Sequence, residues 1–107
     1  MDEFTVSATA SEAAAQVAVA GDVDLASAAG LLEAVAPLVR PGVEVTVDCA
    51  EIRFLDSAGL RVLLELNRRA QDVGGTLVLV APSEVVTRIL ELAGVVRLFT
   101  VRPAEAA

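Results

Sequence analysis

FLDSAGLRVLLEL, Phe54 to Leu66, sets an acid, a hydroxyl and a glycine between an apolar pair and a run of leucines at helical spacing. Leu60, Leu63, Leu64, Leu66 and Ala70 span a wide arc, with Arg61, Glu65, Arg68 and Asp72 outside it, which predicts a helix from about Ser57 to Val73. Gly74 and Gly75 stop it. Either Asp56 or Ser57 can cap its start by accepting from free backbone N–H groups, a contribution of ~1 kcal/mol. The same hydroxyl could instead carry a phosphoryl group, which would meet the positive end of the helix dipole and bring ~1.5 to 2 negative charges to an exposed tip. Arg61, one turn on, could pair with that charge, whereas Asp56 and Asp24 would repel it.

The flanking segments fix the class. Phe4 to Gly21 carries β-branched residues in alternation around a small polar break, which predicts two strands in a hairpin. Leu25, Ala28, Ala29, Leu32, Val35 and Ala36 recur at helical spacing behind Asp24, a natural N-cap, and Pro37 ends or distorts that helix. VEVTVD, Val43 to Asp48, reads as a strand, followed by an irregular connection through Cys49 to Arg53. TLVLVAP, Thr76 to Pro82, is a strand, and SEVVTRILELAG, Ser83 to Gly94, a helix capped by Ser83. The tail beyond Phe99 to Val101 is Ala/Glu-rich and is expected to fray. Strands alternating with helices require crossovers, so the order ββαβαβα plus a short terminal segment predicts an α/β domain. Its sheet is expected to be largely parallel or mixed, with four to five strands and three to four helices mainly on one face. One domain over residues 1–107 is expected.

Composition removes several function classes. The chain is 55% hydrophobic, but its apolar residues come in blocks far shorter than the ~18 of a membrane span. MDEFTVSATA lacks the basic-then-apolar order of a secretory signal, so a cytoplasmic location is expected. Fifteen acids against eight arginines give a net charge of −7, which repels nucleic acid and anionic lipid. His, Lys and Tyr are all absent, which excludes most catalytic constellations, and with a single cysteine they leave no soft-metal ligand set. The glycines form no GxGxxG and no GxxxxGK, so no phosphate loop is built in. Proteins or small molecules remain as partners, and no catalytic residue, metal or cofactor of the chain's own is expected.

Three stretches then carry a resemblance. GDVDLASAAGLL (Gly21 to Leu32), FLDSAGLRVLLELNRRAQDVGGTLVLVAPS (Phe54 to Ser83) and RILELAGVVRLF (Arg88 to Phe99) resemble, in order and over nearly the whole chain, the STAS domain of bacterial anti-sigma factor antagonists. The resemblance implies that the serine of DSxG is phosphorylated by a partner that is both kinase and anti-sigma factor. The unphosphorylated form captures that partner and frees the sigma factor. Ser57 matches that serine, Asp56 the acid before it and Asp24 the acid of the GxxD loop. The implied docking surface comprises Asp22, Asp24 and Ser27 with Asp56, Ser57, Ala58, Gly59, Leu60 and Arg61. The kinase would supply ATP and Mg²⁺, and a serine phosphatase would reverse the modification. Ala58 stands where many relatives have Ser or Thr, and Arg61 where glycine is common; Arg61 reads equally as a phosphate partner or as a solvated surface residue. STAS-like domains also serve as constitutive subunits of transport and stress-sensing assemblies, and in that alternative Ser57 is only a cap.

Overall fold

Residues 2–104 are described by a computed structural model of the chain. Thr5–Ala10 (β1) and Ala14–Val23 (β2) form the expected antiparallel hairpin, closed where Ser11 N donates to Ala14 O at 2.8 Å. Glu44–Leu55 (β3), Thr76–Val80 (β4) and Thr100–Arg102 (β5) add in sequence order, each parallel to the last, giving a mixed sheet in the order β1-β2-β3-β4-β5. Right-handed crossovers between parallel neighbours, all stepping in one direction, place Ala28–Val35 (α1), Ser57–Val73 (α2) and Glu84–Ala93 (α3) on a single face. The core lies there: Ala15, Val17 and Val19 of β2, Val45 and Val47 of β3, and Leu77 and Leu79 of β4 meet Leu31, Val35, Leu63, Leu66, Val86 and Leu90 of the helices. The other face carries Ser7, Thr9, Gln16, Thr46 and Asp48, the polar half of an alternating pattern. No described helix is long and apolar enough to cross a membrane.

The third strand is much longer than its alternation suggests. Cys49 to Arg53, expected as an irregular connection, continues the strand to Leu55. Between Ala18 and Ala20 of β2 the partner advances from Asp48 to Glu51, and between Gly21 and Asp22 it advances from Ile52 to Phe54. Each step inserts one extra residue in β3. These two bulges turn a period of two into a period of three, so the buried positions become Cys49, Ile52 and Leu55. The Cys49 thiol is pushed up to about 12 by burial and, secondarily, by the Asp48 charge, so it remains a neutral apolar group.

The first helix also departs from expectation. It begins at Ala28 and buries Ala28, Leu31 and Val35, leaving Leu25 and Ala29 exposed. Asp24 does accept from Ala26 N and Ser27 N, at 3.0 and 3.2 Å, as a cap would, but it closes a turn ahead of the regular helix. Pro37 lies in a 3₁₀ turn, Ala36–Leu38, that ends α1.

The second and third helices keep their expected bounds, with Gly74 and Gly94 in the left-handed conformation at their C-caps. Asn67, a buried polar residue of α2, donates Nδ2 to Leu98 O at 2.7 Å and so ties the approach to β5 onto the helix layer. Where β4 stops opposite Asp48, the start of α3 takes its place beside β3: Ser83 N donates to Cys49 O at 3.3 Å and Ser83 Oγ to Ile52 O at 2.8 Å. The terminal segment is a strand as far as Arg102, one residue into the tail expected to fray, and the Arg102 guanidinium meets Glu44 at 2.6 Å across the intervening β4. Glu105 to Ala107, the rest of the expected fraying tail, lie outside the described residues.

Ala81, between β4 and Pro82, has φ +51°, in the left-handed region where a Cβ costs ~1–2 kcal/mol. Ala81→Gly removes that penalty and loosens the unfolded chain by rather less, so it should stabilise the fold by about 0.5–1 kcal/mol. Thermal unfolding should show a midpoint a few degrees above wild type. An equal or lower midpoint would mean that Ala81 sits there without strain.

Candidate functional site

The ends of β2 and β3 lie side by side, with Val23 opposite Leu55, and Asp56 N donates to Val23 O at 3.2 Å. The chain leaves β2 into the turn Asp24 to Ser27 and leaves β3 into α2, so the two implied halves of the docking surface arise from adjacent strand ends. Gly59 allows them to meet. A Cβ there would lie 2.6 Å from both Val23 O and Leu55 Cδ1, and backbone cannot yield as a flexible side chain can. Gly21 has a comparable role upstream: φ is +86°, and a side chain would enter the space of the Glu3 carbonyl as the N-terminal segment crosses it.

Asp56, not Ser57, is the cap of α2. Its backbone is extended, at φ −103° and ψ −174°, as a capping residue requires, and Oδ1 accepts from Ala58 N at 2.9 Å and Gly59 N at 3.0 Å. The second oxygen, Oδ2, accepts from Leu25 N at 3.2 Å. One carboxylate therefore ties the helix start to the opposing turn. That tie is not readable from sequence, because Leu25 is 31 residues away; the signal available was only that a capping carboxylate has an oxygen to spare.

The turn is closed from inside as well. Ser27 Oγ donates to Asp22 O at 2.9 Å and accepts from Asp24 N at 2.9 Å, while Asp24 Oδ1 holds the amides of Ala26 and Ser27. Ser27 thus serves the turn rather than offering a free hydroxyl. Asp22 and Asp24 are half-buried where β2 leads into it. Ser57 is the first residue of α2, exposed, with no hydrogen bond to its hydroxyl among the described residues. Ala58 and Leu60 are half-buried against the core and Gly59 is buried, so of DSAGL only the serine faces outward fully.

Arg61 is exposed one turn beyond Ser57, where a helical side chain leans back toward the N-terminus. Glu65, the acid one turn further along, is engaged elsewhere: it accepts from Arg69 and Arg68, each at 2.7 Å, and these bonds hold its carboxyl below the usual range. Arg61 forms no ion pair among the described residues. Two large apolar side chains also stand exposed at this end of the molecule, Leu25 and Phe54, neither of them singled out by the sequence pattern as a site residue.

A surface of this kind can bind a partner and can be charged. The family profile described as "Mlab, STAS domain" matches residues 6–101. The anti-sigma-B factor antagonist of Bacillus subtilis (strain 168) is 32% identical over 79 residues, 74% of this chain and 72% of that protein. The crystal structure of an anti-sigma factor antagonist from Mycobacterium paratuberculosis is 25% identical and superposes with a TM-score of 0.83, covering 96% of this chain and 88% of that one. The Bacillus protein SpoIIAA shares the fold in two forms. The unphosphorylated anti-sigma factor antagonist is 17% identical, with a TM-score of 0.73 over 92% of this chain and 87% of that one. The phosphorylated form is 16% identical, with a TM-score of 0.69 over 92% and 90%. With a five-stranded mixed sheet, three helices on one face and the DSAG turn at the strand ends, the chain belongs to the family of STAS-domain anti-sigma factor antagonists.

Proposed function

We propose that this protein is a phosphorylation-switched antagonist of an anti-sigma factor, working in the cytoplasm. With Ser57 unmodified, the surface formed by the Asp22 to Ser27 turn and the start of α2 captures an anti-sigma factor that is also a serine kinase, and the sigma factor is released. The kinase brings ATP and Mg²⁺. Ser57 Oγ attacks the γ-phosphorus, the new O–P bond replaces the bond to the β–γ bridging oxygen, ADP leaves, and the hydroxyl proton passes to a base of the kinase. A serine phosphatase returns Ser57 to its hydroxyl form. The observation that carries this reading is that Ser57 stands exposed at the first position of a helix already capped by Asp56. The fold does not use the hydroxyl, so it can be modified without unfolding anything. SpoIIAA, which shares the fold, is known in both phosphorylated and unphosphorylated forms.

The decisive measurement is intact mass after incubation with ATP and the anti-sigma factor kinases of the host, each expressed and purified. One added phosphoryl group on wild type and none on Ser57→Ala is the expected result. The phosphorylated chain should then bind its kinase at least tenfold more weakly, since that requires only ~1.4 kcal/mol and a hydrated dianion must be stripped of water to enter a contact matched to a neutral hydroxyl. No modification by any kinase that phosphorylates its own known substrate would favour the constitutive-subunit reading.

Stability should separate the two neighbouring residues. Ser57→Ala should leave the urea midpoint unchanged, since the hydroxyl caps nothing, and should bind as a permanently active form. Asp56→Ala should lose about 1–2 kcal/mol, since it removes the helix cap and the tie to Leu25. A destabilised Ser57→Ala would show the serine to be structural.

Arg61 should matter chiefly to the modified state. A phosphate on Ser57 lies within its reach at i, i+4, whereas the neutral hydroxyl offers it little. Phosphorylation should raise the melting temperature, and Arg61→Ala should diminish that rise while leaving the unmodified protein unchanged. If the rise is equal in both backgrounds, Arg61 is a solvated surface residue.

A further inference from the structure

Leu25 is 80% exposed, and nothing about that exposure is slack. Its own amide is held by Asp56 Oδ2, and the next two amides are held by Asp24 Oδ1. The Ser27 hydroxyl ties the turn back to Asp22 O, and Ala28 N closes on Asp24 O at 2.8 Å. Bonds from two separate elements thus fix a backbone whose leucine points away from the core that Ala28 and Leu31, a few residues on, enter. The carboxylates of Asp24 and Asp56 hold its turn and Asp22 lies three residues before it, in a molecule of net charge −7.

Resting on the function proposed above, we infer that Leu25 is the apolar anchor of the docking surface, and that the partner receives it in an apolar pocket rimmed by arginine or lysine. A pre-ordered anchor loses little conformational freedom on binding, and an aliphatic side chain seated in a pocket within a polar rim can serve as an interface centre. The acidic rim and the leucine then act on different steps. The rim accelerates encounter and responds to salt, whereas the seated leucine slows escape.

The test measures binding kinetics of the unphosphorylated full chain with the anti-sigma factor kinase that modifies Ser57, for wild type, Leu25→Ala and Leu92→Ala. Leu92 is the control: it is 75% exposed near the end of α3, which runs back toward the opposite end of the sheet. Leu25→Ala should bind at least tenfold more weakly, through faster dissociation, with association within twofold and an unchanged melting temperature. As a substrate it should show a raised KM with kcat preserved, because Ser57 is intact. Leu92→Ala should match wild type. Binding of Leu25→Ala within twofold of wild type would overturn the anchor and leave the switch standing. An equal loss in Leu92→Ala, or a lowered melting temperature of Leu25→Ala, would overturn it as well. Wild type that neither binds nor is modified by any host anti-sigma factor kinase would remove the proposed function itself, and the anchor with it.

Discussion

The Asp56 carboxylate divides its two oxygens between two elements, Oδ1 taking the amides of Ala58 and Gly59 and Oδ2 that of Leu25. Hydrogen bonds to an ionised acceptor are stronger than neutral ones, and here three of them converge on one side chain. The arrangement frees its neighbour. A helix start with one good cap has no need of a second, so Ser57 is left without a structural duty at a position where the dipole favours added negative charge. Had the serine been the cap, modifying it would have taken away the helix's own terminus along with any partner.

That carboxylate can reach both sides only because the strand ends are drawn close, and Gly59 sets the closeness. Its missing side chain lets the first turn of α2 rest on Val23 O and Leu55, which brings Asp56 within reach of the opposing turn. The bulges in β3 contribute upstream, since the two extra residues carry Phe54 and Leu55 level with Asp22 and Val23 rather than leaving them out of step. Glycine, bulges and carboxylate therefore form one chain of causes, and the exposed serine is its result.

These causes differ in how far they show in the sequence. Signals confined to a few neighbouring residues were readable: Gly74 after α2, Ser83 before and Gly94 after α3, and the alternation of β2. Features set by another element were not. The extension of β3 shows a three-residue spacing because it follows the register of β2, and a three-residue spacing looks like neither strand nor helix. β5 is three residues long and exists because β4 offers an edge to pair with. Leu25 fits the period of α1 yet lies outside the helix, because its amide answers to a carboxylate far along the chain. The choice between Asp56 and Ser57 as cap stayed open for a related reason: both side chains can cap, and only the extended backbone of Asp56 decides.

The distribution of charge along α2 follows the same logic. Arg68 and Arg69 share Glu65, and Arg68 also reaches Asp72, so the middle and end of the exposed face are internally neutralised. Exposed pairs of this kind add little stability, but they remove the acid that would otherwise draw Arg61 along the helix. Arg61 keeps its charge for the N-terminal turn, where Asp22, Asp24 and Asp56 contribute negative charge and Ser57 is neutral. A phosphoryl group on Ser57 would deepen the negative charge of that turn in one step, since it adds up to two charges beside one cation. A partner whose pocket is matched to a neutral serine and an exposed leucine would then face a dianion on a surface that cannot move aside, because the amides of the turn are fixed by Asp24 and Asp56. In the proposed switch, rigidity would favour capture in one state and sharpen release in the other, so the hydrogen bonds that pre-order the turn would also serve the change of charge.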